Sequence, residues 1–234
     1  LRRASWQDAG VRRIFVHGFT QTARSWAPVL DLLPPGEEST ALEVPANLDF
    51  ETTARALGDV GRQGTYVGYS MGGRLCLRLA LDRPHLVERL VLASASPGIA
   101  DGAARVDRRD ADEELARSIE DGGADAFLER WLSMPLFRTL EGDARGMDAR
   151  QRDPAVLTHQ LRVLGQGAME PLWDRLATLR MPVMLVVGSR DESYLGHAQE
   201  MRERIPEARL EIVEGAGHAL HLEQPDAFVR LLTG

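Results

Sequence analysis

Thr65-Tyr66-Val67-Gly68-Tyr69-Ser70-Met71-Gly72-Gly73 is a short apolar run that stops at a serine held between glycines. The G-x-S-x-G spacing of Gly68, Ser70 and Gly72 predicts a strained strand-to-helix turn, because side chains at the flanking positions would collide with adjacent backbone. Such a turn lifts the hydroxyl into the open. It also sets Ser70 at the N-terminus of the following helix, where free N–H groups and the positive dipole end favour developing negative charge. Alone, the pattern arises by chance in roughly one chain in ten of this length. The rest of the chain decides what the serine is for.

Working outward, residues 65–69 read as a strand and residues 71–83 as a helix stopped by Pro84. Upstream, residues 11–17 form a strand-like run ending at His17-Gly18-Phe19-Thr20. Ser25 is expected to cap a helix through Leu33, residues 40–44 form a second strand, and Asp49 is expected to cap a helix running to about Gln63, with Glu51 in its first turn. Downstream, residues 89–93 form a further buried-type strand. This alternation predicts an α/β fold with a mostly parallel sheet and helices on both faces.

The rhythm then changes. Residues 110–120, 125–133, 154–164 and 172–179 carry only helical patterns. Strand periodicity resumes at residues 182–188 and 209–213, with helices at 196–205 and 224–232. The chain therefore divides into a sheet core, residues 1–97 and 180–234, and an inserted helical cap, residues 98–179. No internal repeat interrupts this order.

At 234 residues and 44% hydrophobic content the chain can bury a substantial interior. A net charge of -7 supplies no basic stripe for phosphate backbones, so nucleic acid is not an expected partner. No apolar run approaches the ~20 residues needed to span a bilayer, so no membrane association is expected, and the polar opening L-R-R-A-S-W-Q-D lacks an apolar signal core. The single cysteine, Cys76, excludes an internal disulfide, fits a reducing compartment such as the cytoplasm, and reads as core packing. All 28 basic residues are arginine. The lack of lysine removes Schiff-base and pyridoxal-lysine chemistry and the Walker P-loop.

A serine hydroxyl is a poor nucleophile or base until a histidine takes its proton and an acid orients that histidine. Asp191 follows the strand ending at Gly188, and His218 follows the strand ending at Val213. Both lie at strand carboxyl ends, as Ser70 does, and the order Ser, Asp, His is the one expected of an α/β-hydrolase sheet. Ser70, Asp191 and His218 are accordingly expected to form a catalytic triad. Oxyanion donors are expected from the backbone N–H groups of Met71 and Phe19. His17, beside Gly18, is assigned a structural part in that loop. H-x-x-H-x-E at His218, His221 and Glu223 could suggest metal ligands, but a strand-to-helix loop does not present both rings together, so neither metal nor organic cofactor is expected. Arg74 lies one turn beyond Ser70 and opposes the helix dipole, which calls for a compensating anion. That anion is either a substrate carboxylate or a structural Asp or Glu.

These segments resemble the α/β-hydrolases of menaquinone biosynthesis, the 2-succinyl-6-hydroxy-2,4-cyclohexadiene-1-carboxylate synthases. The resemblance is carried by G-Y-S-M-G-G-R at 68–74, S-P-G at 96–98, R-R-D-A-D-E-E-L-A at 108–116, F-L-E-R-W-L-S-M-P-L-F at 127–137, L-R-V-L-G-Q-G at 161–167 and P-L-W-D-R-L at 171–176. It implies an elimination in which a ring proton is removed and pyruvate leaves a small polycarboxylated substrate. It further implies that Arg74, Arg108 and either Arg150 or Arg152 bind carboxylates and that Trp131 faces the site, roles that bidentate guanidinium contacts suit. Where many relatives carry D-x-P-G-H-G-x-S after the second strand, this chain has E-V-P-A-N-L-D-F at 43–50, a loop expected to border the pocket. Two alternatives to the lyase stand beside it: a cofactor-free hydrolase of small esters, lactones or carbon-carbon bonds, and a ligand-binding protein without turnover.

Overall fold

The computed structural model describes residues 12–234. Val11 of the expected opening strand, and the polar opening before it, lie outside the described residues. Six strands, β1 (Arg13–Val16), β2 (Ser39–Leu42), β3 (Gly64–Tyr69), β4 (Val87–Ala93), β5 (Val183–Gly188) and β6 (Arg209–Val213), form one sheet in the order β2-β1-β3-β4-β5-β6, with every pair parallel. β3 and β5 are buried along their whole length, as strands covered on both faces must be.

Side-chain alternation along the strands builds two apolar layers. Ile14, Tyr66, Leu90, Leu92 and Leu185 face one layer, while Phe15, Val67, Val91, Ala93 and Met184 face the other. Helix α1 (Ala27–Leu30) packs on the second layer through Val29. Helices α2 (Phe50–Gly61) and α3 (Met71–Asp82) cover the first through Leu57, Leu75 and Leu79. Asp49 caps α2 as expected, its carboxylate accepting from Thr52 N–H at 2.7 Å. Cys76 is buried in the first layer, and burial pushes its thiol well up.

Between β4 and β5 the described chain holds helices and 3-10 turns and no strand, apart from an isolated bridge of Arg150 to Gln21. Helix α4 spans Gly102–Leu132 and α5 spans Pro154–Leu164. They share a small core of their own, built on Ile119, Phe127, Leu157 and Leu161. Residues of the same segment also enter both sheet layers, Leu164, Leu172 and Leu176 on one side and Leu132, Phe137 and Leu140 on the other. Helix α6 (Glu192–Arg204) then completes the first layer, and α7 (Leu220–Glu223) and α8 (Pro225–Thr233) complete the second.

Several boundaries differ from the sequence reading. Ser25 does not cap a helix: it lies inside a 3-10 turn, Ala23–Trp26, and its hydroxyl donates to Thr22 O at 2.8 Å. Helix α4 begins at Gly102 because Asp101 accepts from Ala104 N–H at 2.7 Å, and the two helices expected at 110–120 and 125–133 are one run bent at Gly123, φ 78° and ψ 166°. Residues 173–178 wind as a 3-10 helix. Helix α6 starts four residues earlier than its apolar pattern, directly after Asp191.

Order reversal locates the crevice. From β1 the chain steps outward to β2, then returns across β1 to pair β3, so the carboxyl ends of β1 and β3 open onto a switch point. There Gly72 packs so closely on β1 that a Cβ would overlap the carbonyl oxygens of Val16 and His17. His221 lies deeper in the same region, fully buried, with ring centroids 4.2 Å from Tyr69 and 4.5 Å from Trp26. Burial first, and then the nearby Arg150 guanidinium, depress its pKa well below the usual imidazole value.

Two outcomes follow from this packing. Gly72→Ala must push backbone off backbone and is expected to cost about 1–3 kcal/mol, read from urea unfolding. In the unfolded chain His221 takes up a proton as pH falls through about 6.5, whereas in the folded chain it stays neutral to lower pH, so folding loses stability below about 6.5. His221→Phe should therefore lose less stability than wild type between about pH 7.5 and about pH 5.5. Equal losses in the two proteins would assign the acid sensitivity to other groups.

Candidate active site

Ser70 sits between β3 and α3 with φ 51° and ψ −110°, a conformation that side-chain-bearing residues rarely adopt. Its N–H is tied to Ala93 O of the neighbouring strand at 2.9 Å. A Cβ at Gly68 would approach Gly72 O and Gly73 Cα at 2.6 Å, so the turn closes only with glycine there. The strain is thus held from three sides: β3, β4 and the first turn of α3.

His218 and Asp191 reach Ser70 from the ends of β6 and β5. His218 Nδ1 lies 2.6 Å from Asp191 Oδ2, and His218 Nε2 lies 3.2 Å from Ser70 Oγ. A carboxylate only accepts, so Nδ1 carries the proton and Nε2 presents a lone pair to the serine hydroxyl. Both side chains are at most 5% exposed. The loop bearing His218 is strapped by Glu223, whose carboxylate accepts from Gly217 N–H at 2.7 Å and Ala219 N–H at 3.1 Å. Glu223 therefore clamps the backbone on both sides of His218, and His221 turns away to stack on Trp26 and Tyr69.

The loop after β1 faces Ser70. His17 Nδ1 lies 2.9 Å from Gly18 O, and His17 Nε2 accepts from Val44 N–H at 3.1 Å, which ties the loop to the end of β2. Gln21 Oε1 accepts from Gly18 N–H at 3.1 Å, and Thr20 takes φ 65°. Among the described residues, neither Phe19 N–H nor Met71 N–H donates a hydrogen bond. Both residues border the cavity beside Ser70.

That cavity holds about 320 Å³ and has two chemical halves. Phe19, Trp131, Met134, Leu136 and Phe137 line one. Trp131 packs edge-on against Phe19, centroids 5.1 Å apart, and its indole N–H is buried without a partner among the described residues. Arg74, Arg108, Asp112, Gln160 and Tyr194 line the other. Arg74 is 6% exposed and spends one Nη on Leu164 O at 2.8 Å and Met169 Sδ at 3.3 Å. Burial pushes its pKa down to about 10. It forms no ion pair with a described carboxylate. Of the two compensating anions open to it, the structural one is present only as a pull from Asp112 without an ion-pair contact. Arg108 Nε donates to Asp112 Oδ1 at 2.9 Å, and burial pushes the Asp112 carboxyl up against the pull of Arg108 and Arg74.

Arg150 and Arg152 are not among the residues lining the cavity. Arg150 is buried in another role. It donates to Arg145 O and to Thr20 Oγ1, joining the helical segment to the loop after β1. Arg152 points outward and pairs with Asp125. Residues 43–50 are likewise not among the lining residues, and Leu48 O sits 3.0 Å from His159 Nε2 on α5. Conversely Tyr194, Gln160 and Asp112 line the site without having been singled out. Tyr194 had a readable signal, three residues after Asp191, had α6 been started at its true N-terminus.

With this geometry in hand, the comparisons with known proteins are specific. A family model described as "Alpha/beta hydrolase family" matches residues 14–231. A putative 2-succinyl-6-hydroxy-2,4-cyclohexadiene-1-carboxylate synthase of Bacillus subtilis (strain 168) is 31% identical over 94% of this chain and 88% of its own. A synthase of the same name from Salmonella heidelberg (strain SL476) is 27% identical over 92% and 90%. Among solved structures, MenH from S. aureus superposes with a TM-score of 0.88 at 25% identity, covering 98% of this chain and 92% of that one. A malate-bound thermophilic esterase from Thermogutta terrifontis shares the fold, with a TM-score of 0.81 at 17% identity over 97% and 89%. The chain belongs to the alpha/beta hydrolase family and, within it, is similar to the 2-succinyl-6-hydroxy-2,4-cyclohexadiene-1-carboxylate synthases.

Proposed function

We propose that this protein eliminates pyruvate from a small polycarboxylated ring, forming 2-succinyl-6-hydroxy-2,4-cyclohexadiene-1-carboxylate. The observation that carries the reading is Arg74, a buried guanidinium one turn from Ser70 that faces the cavity without a carboxylate partner among the described residues. A desolvated cation is costly to keep unless something anionic meets it, and a substrate carboxylate does so at the moment of binding. Arg108 on the same wall can take a second carboxylate, while the apolar half accepts ring carbons.

In this reading Ser70 relays the ring proton to His218 Nε2, and Asp191 holds the imidazole in the tautomer that can accept it. The carbon–hydrogen electron pair enters the ring as a new double bond, and the ring bond to the enolpyruvyl oxygen breaks with its electron pair going to that oxygen. The departing enolate becomes pyruvate when its methylene carbon takes up a proton, while His218 gives its proton back to solvent or to the enolate. Charge developing on oxygen falls to the N–H groups of Phe19 and Met71, at the positive end of α3. The helical segment between β4 and β5 acts as the cap that excludes water. No cofactor is needed, because each step moves a proton or an electron pair already in the substrate.

A hydrolase of small esters is the second reading, favoured by the apolar half of the cavity and by Ser70 Oγ standing 3.2 Å from His218 Nε2. There Ser70 attacks carbon and an acyl-enzyme accumulates.

Purified protein is expected to release pyruvate from the substrate that a synthase of this type converts, followed with lactate dehydrogenase. Ser70→Ala should lower kcat by about 10³-fold or more. Arg74→Met should lower kcat/KM by about 10²-fold. No pyruvate, with a Ser70-dependent burst on an activated ester, would transfer the assignment to the hydrolase.

A further inference from the structure

Tyr194 stands where the two halves of the site's chemistry meet. It lies in the first turn of α6, three residues after Asp191, and borders the cavity with Arg74, Ser70 and His218. Its ring centroid is 4.4 Å from that of His218. Gln166 Nε2 donates to the phenolic oxygen at 3.0 Å. One lone pair of that oxygen is thereby used, and among the described residues the phenol's own proton has no acceptor. A hydroxyl with its oxygen already held has its hydrogen left to give.

The electrostatics agree on the species present. Burial holds the Tyr194 pKa above its usual value, against the opposing pull of Arg74 and Arg108, so the group remains a neutral donor at ordinary pH. Arg74 and Tyr194 line the same cavity, and each feels the other's charge. A guanidinium with N–H groups to spare and a phenol with an unused proton form a two-donor seat for one carboxylate.

We propose that Tyr194 is a substrate-binding residue whose phenolic O–H donates to the same carboxylate that Arg74 holds, with Gln166 as the positioning residue that aims it. This rests on the reading of Arg74 as a carboxylate ligand and adds the second donor, which fixes the orientation of the carboxylate relative to Ser70 and His218. Gln166 acts only through Tyr194. Because the phenol stays neutral, its contribution is the same across the working pH range.

The test uses the full chain and two ring probes, cyclohex-1-ene-1-carboxylate and its carboxamide, titrated calorimetrically into wild type, Tyr194→Phe and Gln166→Leu. Phenylalanine keeps the packing on His218 and removes only the donor. Tyr194→Phe is expected to weaken the carboxylate about 10-fold and the amide less than about 2-fold, by the same factor at about pH 6.5 and about pH 8.5. Gln166→Leu should weaken the carboxylate selectively but by less. Should Tyr194→Phe lose its thermal transition, Gln166→Leu decides alone, and an undiminished carboxylate affinity overturns the inference. Equal weakening of acid and amide by Tyr194→Phe, or none, also overturns it, as does a wild type that binds no carboxylate. Pyruvate release by wild type separates the two claims. Tyr194-dependent carboxylate binding without pyruvate loses the proposed function and keeps the inference. Pyruvate release alongside undiminished carboxylate binding by Tyr194→Phe keeps the function and loses the inference.

Discussion

Ser70 is held at φ 51° and ψ −110°, and the rest of the site depends on that one backbone conformation. Left to itself the residue would relax, since such a conformation costs about 1–3 kcal/mol. It persists because the sheet leaves no alternative. Gly72 lies on the carbonyls of β1, Gly68 lies on the first turn of α3, and the Ser70 N–H is bonded to β4. Relaxing the serine would require separating α3 from the sheet, with Leu75 and Leu79 and the apolar area they bury. The strain is small beside the burial that opposes its release.

The same sheet brings in His218 and Asp191 without any local motif linking them to Ser70. They lie on loops after β6 and β5, and these strands pair with each other in register from Met184 to Gly188. Gly188 is crossed so closely by the His218 loop that a Cβ would overlap the carbonyls of Ala216 and Gly217. Glu223 then fixes the backbone on either side of His218 through two N–H groups. The hydrogen bond from His218 to Asp191 is therefore the outcome of sheet register plus one carboxylate strap.

This explains which parts of the molecule were legible in the sequence. Strands and their carboxyl ends are written locally, as apolar runs closed by glycine, so the positions of Ser70, Asp191 and His218 followed from chain order alone. Helix α5 was likewise legible, because Asp153 and Pro154 mark its start. The arginines of the helical segment were not. Whether Arg150 faces a ligand or a backbone carbonyl is set by where Arg145 and Thr20 fall in space, and nothing in the order A-R-Q-R-D-P records it. Helix α4 misled for a related reason. A polar opening capped by Asp101 carries little apolar periodicity, and the bend at Gly123 depends on a conformation only glycine adopts readily. Tyr194 was lost to a boundary, since α6 begins with exposed residues and its apolar pattern starts later.

Arg74 is where the fold's economy and its chemistry disagree. A cation near the N-terminus of α3 opposes the dipole that favours charge on the substrate oxygen, and its burial pushes its pKa down to about 10. A protein serving stability alone would place an apolar side chain there, as Leu75 and Met71 are placed on the same helix. Asp112 does not resolve the conflict, because its carboxyl is itself held up by burial and is bonded to Arg108. Under the proposed function the cost is carried by the unliganded protein and relieved when the substrate carboxylate enters. An enzyme acting on neutral esters gains nothing from that arrangement before its oxyanion forms. One acting on a carboxylate gains at once in affinity, and in the orientation of the ring against Ser70. The position of this charge without an ion-pair partner, more than the geometry of the serine and histidine, is the ground for proposing a polycarboxylated substrate over a simple ester.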